Sequence, residues 1–204
     1  MLDTKRHWFK GLEKIVAKVF SILPLTPNQF TYLSGVAAIA VIWFISNGYL
    51  IGGAISFLIA AGLDLVDGAV ARAKDMVTVK GAFLDTVFDR YIEGSLLISL
   101  LFLNLPEIIM PAYIWVALAI FGSVVTTYIP AAAQQKNYMQ NQLKGGIMSR
   151  AERVIFMFGA LILAIIYPDY IYTTYVIIAL AVISNISAIQ RFAMIIIRKN
   201  GECK

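Results

Sequence analysis

Residues Gly62 to Gly94 carry five aspartates, and four of them, Asp64, Asp67, Asp85 and Asp89, stand at helix-face spacing in largely apolar surroundings. A helix advances about 100° per residue, so side chains three or four positions apart share a face. Asp64 and Asp67 stand i,i+3, with Gly68 at i+4 from Asp64 and Ala71 at i+4 from Asp67. On the next stretch Gly81, Asp85 and Asp89 form an unbroken i+4 ladder. Two adjoining antiparallel helices would therefore aim four carboxylates into one gap lined by small residues. A lone aspartate near the bilayer centre costs about 2.5–3.5 kcal/mol on insertion scales, and several together repel one another. Divalent cations relieve both penalties. Ligands that are all oxygen suit hard ions such as Mg²⁺ or Mn²⁺, and Mg²⁺ commonly shares carboxylates with substrate phosphates. Arg72 offers a guanidinium suited to a diphosphate, and Gly68 and Gly81 leave room for a flat ligand beside the helix backbones. The spacing thus points to metal-dependent phosphate chemistry.

The elements that hold these residues are membrane elements. Of 204 residues, 60% are hydrophobic and 14% charged, and the mean hydropathy is +0.78. Soluble domains run nearer about 45–50% apolar and 25% charged. His7 is the sole histidine and Cys203 the sole cysteine, which excludes His-based zinc sites, Ser/His/Asp chemistry and an intramolecular disulfide. The net charge of +5 comes without an aromatic-basic surface, so it implies cytoplasmic basic loops and no nucleic-acid partner.

Residues 3–22 read as an amphipathic helix. Arg6, Lys10, Lys14 and Lys18 recur at every fourth position, with Trp8, Leu12, Ile15, Val16 and Val19 on the other side. That pattern suits a helix lying in the interface, its lysines towards anionic headgroups. Pro24 and Pro27 end it. Six hydrophobic segments follow near 29–47, 49–73, 81–104, 111–134, 150–167 and 170–197, most of them adequate for a span and the fifth short. With both termini cytoplasmic, all 17 Lys and Arg fall in the loops near 74–80 and 135–149, in the tails, or in the adjoining membrane ends. The opposite loops hold only Glu107 and Asp169 as charges. The expected fold class is an all-α integral membrane protein with six transmembrane helices preceded by an N-terminal interfacial helix. Its parts are residues 1–23, a six-span domain over 24–199 and a cytoplasmic tail over 200–204. The expected location is the cell membrane, multi-pass, with the site facing the cytoplasm.

Written out, the stretch is Asp64-x-x-Asp67-Gly68-x-x-Ala71-Arg72, eight residues, then Gly81-x-x-x-Asp85-x-x-x-Asp89. This resembles the signature of the CDP-alcohol phosphotransferases, also called CDP-alcohol phosphatidyltransferases, at every defined position. The resemblance extends to the six-span plan, the N-terminal helix and Thr26-Pro27-Asn28-x-x-Thr31. It implies a membrane phospholipid-synthesising transferase that gives the phosphoryl-alcohol portion of a CDP-linked lipid to a second alcohol and releases CMP. It further implies a pair of divalent ions on Asp64, Asp67 and Asp85, with Asp89 assisting and acting as general base. Arg72 and the metals would take the diphosphate, Gly68, Ala71 and Gly81 would border the cytidine, and Thr31 would lie near a donor phosphate. A homodimer is implied as well.

For the acceptor, Lys144-Gly-Gly-Ile-Met-Ser-Arg150-Ala-Glu-Arg153 and Gln190-Arg191 resemble the acceptor segments of members that use inositol phosphate. Arg153 and Arg191 would then clamp an acceptor phosphate. After Tyr128, where those members place basic residues and an acid, Ile129 to Gln135 has no charge. Inositol phosphate and the alternatives glycerol phosphate, serine or another alcohol therefore all stand at this point. The more remote readings are a membrane prenyltransferase, which also binds a diphosphate through Asp-rich helix ends, and a cation- or proton-coupled transporter. Arg90 and Glu93 are i,i+3 and are expected to pair beside the site.

Overall fold

The computed structural model describes residue 11 and residues 16–138 and 146–202. The chain divides at Leu103 and Asn104 into two compact units. Most of the expected interfacial helix, including Arg6, Trp8, Lys10, Leu12, Lys14 and Ile15, lies outside the described residues, as do Lys144 and the end of the tail.

The first unit holds α1 (Pro27–Ser46), α2 (Leu50–Ala73) and α3 (Val79–Leu100). Pro27 opens α1 at a position where its missing N–H costs nothing, and Gln29 Oε1 accepts the Thr26 N–H at 2.7 Å. α1 packs along both α2 and α3, whereas α2 and α3 touch each other far less. That arrangement leaves a gap between α2 and α3, which the aspartates line. Gly35 on α1 permits the approach of α3, because a Cβ there would collide with the Phe88 ring. Phe30, Val66 and Val70 form the core beside the site, and Val16, Phe20, Leu25 and Leu63 pack against it. The visible end of the N-terminal helix therefore docks on protein through Val16 and Phe20. Val19, on the same apolar side, is 55% exposed, as a side chain turned to lipid would be.

The second unit holds α4 (Ala112–Gln135), α5 (Arg150–Ile166) and α6 (Ile171–Glu202). Both α4 and α5 pack on α6. Gly122 brings α4 close to α6, and Thr126 Oγ1 donates to Ser184 O at 3.0 Å across that contact. Asn185 Nδ2 donates to Leu118 O at 2.9 Å on the same seam. α5 begins with a capping box in which Glu152 Oε2 accepts the Ser149 N–H at 2.6 Å.

All six helices fall within a few residues of the segments expected from hydropathy, and no strand forms among the described residues. Among the described residues, four helices, α1, α2, α4 and α6 over 171–197, are long and apolar enough by themselves to cross a membrane, fewer than the six spans expected. α3 carries Lys80, Asp85, Asp89, Arg90 and Glu93, and α5 has 17 residues. α6 stays helical to Glu202, into the residues expected to form the cytoplasmic tail. Exposed apolar residues run in stripes, as at Tyr32, Val36, Ile39 and Trp43 on α1. An apolar surface on that scale needs a lipid environment.

Candidate metal and phosphate site

Asp64 lies near the C-terminal end of α2, while Asp85 and Asp89 lie two and three turns into α3. Each offers a carboxylate oxygen, and the three oxygens lie within 4.8 Å of one another. Asp64 and Asp89 are buried and Asp85 is partly so. Three carboxylates this close, largely shielded from water, form an all-oxygen donor set that fits a hard divalent ion.

Asp67 lies outside that 4.8 Å group. Its Oδ2 accepts a hydrogen bond from the buried Thr31 hydroxyl of α1, and Thr31 Oγ1 also lies 3.3 Å from Pro27 O. Three of the four acids expected in one gap lie within 4.8 Å of one another, and the fourth also bonds to α1. Thr31, expected beside a donor phosphate, is here the anchor of Asp67.

A Cβ on Gly68 would meet Arg72 Nη1 and Nη2, both at 3.3 Å, so the exposed Arg72 folds back along its own helix over Gly68. A Cβ on Gly81 would meet Thr78 Oγ1 at 3.1 Å and Asn28 Oδ1 at 3.3 Å. Ala71 is partly exposed, one residue before Arg72. Thr78 caps α3 by accepting the Gly81 N–H at 3.0 Å. Lys74 Nζ donates to Leu23 O at 3.2 Å and Leu25 O at 3.4 Å, which ties the end of α2 to the proline linker. Lys74 and Thr78 were not singled out from the sequence, and Asn28 only as part of the Thr26-Pro27-Asn28-x-x-Thr31 segment. Only Thr78 had a readable signal, as a threonine just ahead of a helix start.

Arg90 Nη2 lies 3.2 Å from Asp89 Oδ2 and 3.4 Å from Glu93 Oε1, so the expected i,i+3 pair forms and also reaches Asp89.

In the second unit Arg153 is 1% exposed, and its Nη2 lies 3.5 Å from Thr127 Oγ1. A guanidinium so deeply buried is no surface anchor. Arg191 Nη1 donates to Thr126 O and Nη2 to Met148 O, each at 3.2 Å. Gln190 Oε1 accepts the Ile147 N–H at 2.8 Å. Arg191 and Gln190 thus strap the segment before α5 to α6. Arg153 and Arg191 are each placed by this unit's own contacts.

Comparison with known proteins agrees with this chemistry. A profile described as CDP-alcohol phosphatidyltransferase matches residues 24–187. A phosphatidylinositol phosphate synthase of Corynebacterium glutamicum is 30% identical over 69% of this chain, which spans 64% of that protein. An archaetidylinositol phosphate synthase of Pyrococcus horikoshii is 30% identical over 78% of this chain and 81% of its own length. The crystal structure of the Mycobacterium tuberculosis phosphatidylinositol phosphate synthase with CDP-DAG bound superposes with a TM-score of 0.75 at 26% identity. It covers 90% of this chain and 92% of that one. The same protein has also been solved in complex with manganese and citrate. With the signature in place on α2 and α3 and the family profile matched across both units, this chain belongs to the CDP-alcohol phosphatidyltransferase family.

Proposed function

We propose that the chain transfers a phosphatidyl-type group from a CDP-linked lipid to a hydroxyl of inositol phosphate and releases CMP. The observation that carries this reading is the convergence of Asp64, Asp85 and Asp89 within the family signature. The relatives' names supply the acceptor. Asp64, Asp67, Asp85 and Asp89 would hold two divalent ions, Mg²⁺ or Mn²⁺. When bound, the ions neutralise the carboxylates and the charge on the donor diphosphate. Gly68, Ala71 and Gly81 border the cytidine, Arg72 takes the diphosphate, and Thr31 orients Asp67 beside it. Arg153 and Arg191 take the acceptor's phosphate. The acceptor oxygen bonds to the lipid-bearing phosphorus, and the bond from that phosphorus to the oxygen bridging to CMP breaks. CMP leaves with the electron pair, and the hydroxyl proton passes to Asp89.

The protein would work as a homodimer with six spans in the cell membrane, its termini and aspartates on the cytoplasmic side, where the basic loops lie. Residues 1–23 would lie in the interface and 200–204 in the cytoplasm. The uncharged run from Ile129 to Gln135 favours a second reading, the same transfer to glycerol phosphate or serine.

CMP release by the purified protein tests both. CDP-diacylglycerol and CDP-archaeol are each offered with Mn²⁺ or Mg²⁺ and one alcohol at a time. Release with inositol phosphate alone is the expected result, and EDTA should abolish it. Release only with glycerol phosphate or serine would replace the acceptor. No release with any alcohol from folded protein would sink the transferase reading. Asp89→Asn should lose turnover yet still bind the CDP-lipid.

A further inference from the structure

Below Asp89 the α3 ladder has one more rung that the family signature does not include. Gly81, Asp85 and Asp89 are followed at the same i+4 step by Glu93, which is 3% exposed. Glu93 is not among the acids that converge with Asp64. It faces Arg90, whose Nη2 lies 3.4 Å away, and the same nitrogen donates to Asp89 Oδ2 at 3.2 Å.

Two like charges at i,i+4 on a buried helix face repel, and burying either without a counter-charge is costly. Arg90 relieves both with the two hydrogens of one nitrogen. The geometry needs an anchor, because neighbouring side chains leave a helix about 100° apart. To reach Asp89, Arg90 has to fold back across the helix face. Glu93, one turn on, is what Arg90 folds onto.

We infer that Arg90 and Glu93 are positioning residues for the transfer: Glu93 fixes the guanidinium of Arg90, and Arg90 fixes the orientation of the Asp89 carboxylate. The inference rests on the reading of Asp89 as the group that takes the acceptor's proton. Misplacement of a reacting group by about 1 Å costs on the order of 100-fold in rate, so a pair that only orients Asp89 should still govern kcat.

The test compares kcat and KM per amount of folded protein for CDP-diacylglycerol and the acceptor. Glu93→Ala should lower kcat about 10- to 100-fold while both KM values stay within about threefold. Glu93→Gln keeps an oxygen for Arg90 and should recover most of the loss. Arg90→Met/Glu93→Leu removes both charges and fills the space with apolar groups. It should therefore fold even if Glu93→Ala does not, and turn over no faster than Arg90→Met alone. Near-native kcat in the folded double variant overturns the inference. So do independent, multiplying losses for the two single variants. Asp89→Asn separates this failure from that of the parent reading: an active Asp89→Asn removes the base assignment itself. An inactive one beside a fully active double variant removes only the role of Arg90 and Glu93.

Discussion

Arg72 lies over Gly68 because Gly68 has no side chain. Glycine inside a helix is less stable than alanine by about 1 kcal/mol, so stability alone would favour Gly68→Ala. A methyl 3.3 Å from both terminal nitrogens would crowd the guanidinium and shift it by a few tenths of an ångström from this pose. Stability and function should therefore move in opposite directions. Gly68→Ala should hold or raise the melting temperature while KM for the CDP-lipid rises about tenfold, roughly 1.4 kcal/mol of binding. Steady-state kinetics beside a thermal melt would check both signs; an unchanged KM would remove Arg72 from the diphosphate. Spacing made much of this legible, since Asp64, Gly68, Arg72, Asp85 and Asp89 are one-turn steps along two helices. The partner of Asp67 was not legible. Its bond to Thr31 depends on how α1 lies against α2, and nothing within the signature encodes that approach.

Helix boundaries were legible where a breaker stands and less so where a cap or a change of solvent decides. Pro111 sets the start of α4 within one residue of the expected position, whereas Thr78 starts α3 two residues ahead of the expected Gly81. The apolar run Leu101–Leu103 continues past the end of α3 as turns, since apolarity does not by itself keep a helix going. The segment entering α5 depends on Gly146, which has φ +131°, a backbone conformation that disfavours any side chain. A Cβ there would also stand 3.0 Å from Arg191 Nε. Gly146→Ala should therefore displace the guanidinium that joins Thr126 and Met148. With Arg191 reading the acceptor phosphate, KM for inositol phosphate should rise by about tenfold or more while KM for the CDP-lipid stays put. A rise in the donor KM alone would move Arg191 out of the acceptor site.

Across the whole molecule, hydropathy and burial give different span counts, and the reason lies in which way α3 turns its polar residues. Asp89 and Glu93 are buried and Asp85 and Arg90 are partly covered, while Phe83, Tyr91 and Ile98 are exposed. A charge count takes α3 for a surface helix, yet its outward face is apolar enough for lipid. α5 has 17 residues, or about 26 Å of helix, close to the roughly 30 Å hydrocarbon thickness that neighbouring residues can help to bridge. Counting α3 and α5 as spans keeps the lysines and arginines on one side. If only α1, α2, α4 and α6 crossed, Glu107 would share a side with Lys74, and Lys136 would move to the other face. Single cysteines at two exposed sites, Glu107→Cys and Lys136→Cys in a Cys203→Ser background, distinguish the two topologies. With six spans and cytoplasmic termini, a membrane-impermeant thiol reagent added to intact cells should label position 107 and spare position 136. The reverse pattern is what four spans would give, and it would place the basic loop before α5 outside the cell, away from a cytoplasmic supply of CDP-lipid.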